Sequence, residues 1–181
     1  MTRKTQGSRV LVRIEHEEGR SAARGLRSLA STFLSSLGLV EAQLSLVVTT
    51  DARFRALNRR WRHKDRPTDV LSFPAAQHPH LAGRMPVLGD VVISLDTARR
   101  RAREDGRRLK AELARYLAHG VLHLLGHDHH EPAKARRMAR AEERLLGGAG
   151  MLGAGEERDS RSGKAPQKTR PAPAQKKKSL R

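Results

Sequence analysis

The chain reads as a single domain that mixes strands with helices, and three observations carry that reading. Its 181 residues are about one domain's length, enough to enclose a hydrophobic core. Short β-branched runs recur between segments whose apolar residues fall at helical spacing. One of those segments is apolar on more than one face in its last turn, as a central buried helix is, and it carries a pair of histidines.

In chain order, Val10–Ile14 reads as a first strand. Ser21–Leu37 follows as a helix, with Leu26, Leu29, Phe33, Leu34 and Leu37 on one stripe and Gly38 closing it. Leu44–Thr50 is β-branched and strand-like, and Asp51 is positioned to cap a helix running to about residue 60. After a loop with Asp65, Arg66 and Pro67, Thr68–Phe73 predicts a short strand ended by Pro74. A loop bearing Pro, His and Gly covers residues 75–86. Gly89–Ser94 predicts a buried strand, and Asp96 is positioned to cap a charged helix interrupted at Gly106. Leu109, Leu113, Leu117 and Leu124 mark the stripe of the central helix, with Val121, Leu122 and Leu125 off it. A last helix spans about residues 132–146, giving a folded domain over 1–147. Residues 148–181 turn to Gly, Ala, Pro, Ser, Gln and Lys and predict a disordered basic tail.

The formal charge is +18, of which the tail supplies +6 and the domain the other +12, so the basic character belongs to both. Such a balance points to a polyanionic partner, nucleic acid first. The tail reads either as a solvated linker or as an arm that meets RNA. Cysteine is absent, which excludes disulfides and thiolate ligands and leaves any metal to His and carboxylates. With no apolar signal segment and no run approaching about 18 apolar residues, the expected setting is cytoplasmic, with no membrane contact.

The chemistry concentrates in His119-Gly-Val-Leu-His123-Leu-Leu-Gly126-His127-Asp128-His129. His119 and His123 are four residues apart and share one helix face. Gly126 accepts a left-handed conformation, stops the helix, and lets the chain present His129 as a third nitrogen. Three protein ligands with an open position make a catalytic rather than a closed structural zinc site. Nickel or copper would also suit three imidazoles. The spacing repeats that of the metzincin peptidases, His-Glu-x-x-His-x-x-Gly-x-x-His, but Gly120 stands where those enzymes place their general base, which disfavours peptide hydrolysis. His127 and His130 are weaker alternatives to His129. Asp128 serves either to orient an imidazole or to cap the helix end, and Glu112 reads as a solvated surface carboxylate. His78 and His80 fall in the 75–86 loop and carry no assigned role.

Two further segments, Leu57–Pro74 (with Asn58, Trp61, Arg62, Asp65, Pro67, Thr68, Asp69, Ser72 and Phe73) and Leu88–Ser94 (with Gly89 and Asp90), stand in order with the histidine stretch. Together they make the chain resemble the YbeY family of bacterial metal-dependent endoribonucleases over about residues 9–147. That resemblance implies an α+β fold, with a small mixed sheet packed with helices around a central helix bearing His-x-x-x-His. It implies one zinc ion per chain on His119, His123 and His129. Arg62 is implied as the functional arginine, binding RNA phosphate; read by itself it is a surface arginine. The implied activity is cleavage of single-stranded RNA in 3′ maturation of small-subunit (16S) ribosomal RNA and in ribosome quality control, with ribosomal RNA and the small subunit as partners. Trp61 stands where the family usually has Tyr. Pro67, Thr68, Asp69, Ser72 and Phe73 are expected to build a turn and strand beside the site, and Asp90 to be structural. A competing reading keeps the same residues but makes the protein an RNA-binding assembly factor with zinc mainly structural. No general base is identified.

Overall fold

Period-two patterning lays down a sheet whose two faces are used differently. In the computed structural model, which describes residues 7–75 and 85–152, strands β1 (Arg9–Ile14), β2 (Gln43–Thr49), β3 (Val70–Pro74) and β4 (Val87–Ser94) form one sheet in the order β1-β2-β4-β3. The β1–β2 and β2–β4 pairs are parallel and β3 runs antiparallel to β4, so the sheet is mixed, as expected. Leu44, Leu46, Val48, Val91 and Ile93 point to one face and join the main core. Val47, Leu71, Phe73 and Val92 point to the other face, where a smaller cluster forms around Phe54.

The main core is closed by helices α2 (Leu26–Ser36), α5 (Leu109–Leu124) and α6 (Pro132–Gly148), with Leu113, Leu117, Val121 and Leu122 of α5 fully buried. Helix α5 is thus central, and its apolar girth is explained by neighbours on several sides. On the opposite face α3 (Asp51–Arg62) lays Phe54 and Leu57 against the sheet. Helix α4 (Leu95–Glu104) follows β4 without a loop.

Several expectations need correction. The single helix over 21–37 is broken into α1 (Gly19–Ala22) and α2, because Gly25 takes φ +87° and turns the chain between them. Asp51 and Asp96 cap neither of their own helices: Thr50 accepts from Arg53 N–H and Ser94 from Thr97 N–H. Asp51 accepts instead from the Ser94 and Thr97 hydroxyls, and Asp96 accepts from the Asp51 N–H at 2.8 Å. The strand at residue 70 starts two residues late and includes Pro74, which is tolerated because β3 is an edge strand. Glu112 is not solvated; it is 3% exposed and paired with Arg107 and Arg115. His78, His80 and the tail beyond residue 152 lie outside the described residues. No helix among the described residues is long and apolar enough to cross a membrane.

Candidate metal centre

His119 and His123 lie one turn apart on α5, and their rings approach to 4.6 Å between centroids. The helix then ends as the sequence predicts. Gly126 takes φ +84°, its N–H donates to the His123 carbonyl, and the His127 N–H donates to the Leu122 carbonyl. This paired closure turns the chain back on itself. The Asp128 carboxylate accepts from the backbone N–H of both His129, at 2.7 Å, and His130, at 3.1 Å, and so fixes the turn that presents the third ring. Those amides and the nearby His130 and Lys134 hold its carboxyl below the usual range against the opposing cost of desolvation. His129 comes within 5.4 Å of His119 and 5.0 Å of His123, centroid to centroid. One nitrogen from each ring lies within 4.8 Å of the others; His127 and His130 are not part of the group.

The donor set fits a divalent cation. His119 Nδ1 is 2.7 Å from a Glu142 carboxylate oxygen on α6. A carboxylate only accepts, so the proton sits on Nδ1 and Nε2 presents a lone pair. That lone pair faces His123 Nε2 at 3.1 Å. Desolvation, then the neighbouring His119 and His129, lower the His123 pKa and favour the neutral imidazole that a metal requires. Glu142 was missed in the sequence. It sits 23 residues from its partner in a helix full of charges, and only the carboxylate–histidine pairing usual at metal sites could have prompted a search for it.

The three rings open into a cleft of about 490 Å³, with Thr68, Asp69, Val70, Ser72 and Pro74 forming the opposite wall. Thr68, Asp69 and Ser72 therefore stand beside the site as expected, whereas Pro67 is not among the residues that line the cleft and Phe73 points to the other sheet face. Asp69 is the single carboxylate among the described residues lining the cleft. It is already engaged by the Thr68 hydroxyl at 2.8 Å and the Val70 N–H at 2.9 Å. Gly120 has a packing reason. A Cβ there would meet Val91 Cγ1 at 2.6 Å, with Ser72 Oγ and Val70 Cγ2 at 3.2 Å, so a glutamate would be driven into the sheet. The Ser72 hydroxyl donates to the Gly120 carbonyl at 3.0 Å across this close approach. Arg62 is the last residue of α3, and Asp90 lies exposed on β4.

A mixed α+β domain that gathers three imidazoles at an open cleft has the build of a hydrolase. The family model for Endoribonuclease YbeY matches residues 12–150. Proteins with that name from Anaeromyxobacter dehalogenans and Anaeromyxobacter sp. are 56% identical over 151 residues and 59% identical over 140. These alignments cover 83% and 77% of this chain, and 77% and 71% of the relatives. A namesake from Aquifex aeolicus is 43% identical over 143 residues, covering 79% of this chain and 92% of its own. The chain belongs to the Endoribonuclease YbeY family and is an enzyme of the endoribonuclease type. A solution structure from Thermotoga maritima shares the fold, with TM-score 0.55 and 21% identity over 84% of this chain and 99% of that one.

Proposed function

We propose that this chain is a zinc-dependent endoribonuclease specific for single strands, which matures the 3′ end of 16S ribosomal RNA and serves ribosome quality control in the cytoplasm. The observation that carries the reading is the convergence of His119, His123 and His129 in an open cleft, in a chain of this family. These three residues would hold one zinc ion. When bound, that ion supplies Lewis acidity to a phosphoryl oxygen and raises the acidity of water. The protein's own groups do the rest. Glu142 fixes the His119 tautomer, the Asp128 turn holds His129 in place, and the Gly120 contact sets α5 against the β3 wall that substrate passes. Arg62 is assigned to pair with phosphate oxygens and offset the charge that grows as the bond breaks. Residues 1–147 would form the catalytic domain and 148–181 a basic arm.

Separate His123→Ala and Arg62→Ala variants test this on single-stranded RNA, with folding followed by circular dichroism. Each is expected to stay folded and lose roughly 10²-fold or more in kcat. Undiminished RNA processing by both variants would sink the enzyme mechanism. Unfolding of His123→Ala with Arg62→Ala fully active would instead favour a structural zinc in an RNA-binding assembly factor.

A further inference from the structure

Trp61 is the chain's sole tryptophan and is 59% exposed, an unusual placement for the largest apolar side chain. It lies where α3 leaves the sheet face and meets Phe73 edge to face at 6.2 Å, while the Arg60 guanidinium sits 5.3 Å from its ring centroid. These residues line a groove of about 820 Å³ between α3 and the sheet, on the face opposite the three histidines. Pro74, at the end of edge strand β3, lines both cavities, so they meet the same sheet edge from opposite faces.

We infer that this groove is a nucleobase subsite, in which a base of the single-stranded RNA stacks on Trp61 while its backbone passes over the β3 edge toward the histidine cleft. The inference rests on the reading of the chain as an RNA nuclease. Three features select a base over other occupants. Exposed indole with an adjacent cation is the chemistry that holds unpaired bases, which stack without regard to sequence. The groove wall also carries the Asp90 carboxylate, which repels phosphate, whereas Glu15 there is taken up by Arg13 and Arg53, so the backbone is left to the basic rim that Arg53 and Arg60 form on the α3 side. The formal charge of +18 supplies the long-range attraction that brings RNA to that rim.

Because Trp61 is the sole tryptophan, intrinsic fluorescence reads the subsite directly. The full chain would be titrated with a phosphorothioate-linked single-stranded RNA decamer and, in parallel, with inorganic polyphosphate. Quenching by RNA but not by polyphosphate is expected. With labelled RNA, Trp61→Ala should weaken binding roughly tenfold and Trp61→Phe should restore it to within about threefold. On cleavable RNA, Trp61→Ala should raise KM and leave kcat unchanged. Equal quenching by polyphosphate, or parental affinity in Trp61→Ala, overturns the subsite and leaves this face to a protein partner. RNA-specific quenching without any cleavage of unmodified RNA defeats the nuclease reading and spares the subsite. Cleavage with KM indifferent to Trp61 does the reverse.

Discussion

Glu142 decides which nitrogen of His119 is free. Its carboxylate holds the Nδ1 proton, so the lone pair on Nε2 points where His123 can share a cation with it. Glu142→Gln keeps the shape but removes the charge, and should lower zinc affinity about 10- to 100-fold. Competition with a chromogenic chelator measures this, and unchanged affinity would show that the carboxylate is idle. The three histidines were legible because helical spacing and a helix-stopping glycine are local patterns. Glu142 and Glu112 were not, for opposite reasons. Glu142 acts across two helices, and Glu112 looks like any surface glutamate until Arg107 and Arg115 are seen to close over it. Gly120 illustrates a third case, where the sequence exposed a missing glutamate but not the sheet contact that excludes one.

At the scale of elements, the starts of α3 and α4 are tied to each other rather than capped independently. Asp96 accepts from the Asp51 N–H and from His16 Nε2 at 2.9 Å, linking α4, α3 and the chain after β1. Burial works to raise the Asp96 pKa, but the Asp51 amide, His16 and Arg99 outweigh it, and the net shift is downward. A carboxylate whose folded pKa lies below its unfolded value stabilises the fold above about pH 4 and ceases to do so as pH falls through the folded value. Asp96→Asn should therefore be less stable than the parent by roughly 1 kcal/mol at pH 7, with the gap closing under acid. Urea melts at pH 7, 4 and 3 check it; a gap as wide at pH 3 as at pH 7 contradicts the linkage. Sequence could not foresee the tie, since Thr50 beside Asp51 and Ser94 near Asp96 offer two cap-competent residues at each helix start. Only the distance between the helices settles which one is used.

Over the whole molecule, charge and fold act at different ranges. Binding of single-stranded RNA should weaken linearly in log affinity against log salt, with a slope of about −0.7 per phosphate neutralised. If residues 148–181 form an RNA-contacting arm, deleting 153–181 should make that slope shallower without moving the melting temperature. The cut falls there because α6 runs to Gly148 and Met151 packs on the core. An unchanged slope would mean the arm does not meet RNA. The mixed composition of strands and helices was legible along the chain, but the order β1-β2-β4-β3 was not, because parallel pairing joins segments with no local signature. That topology also separates two kinds of assembly. Every group of the histidine centre, Glu142 included, falls between residues 119 and 142, whereas β2 must find β4 across the whole of α3 and β3. Closing the short α5–α6 connection has a small entropic cost and the sheet pairings a larger one. The centre is therefore assembled from one contiguous stretch of chain, while the wall facing it belongs to a sheet whose parallel pairings draw on far longer separations.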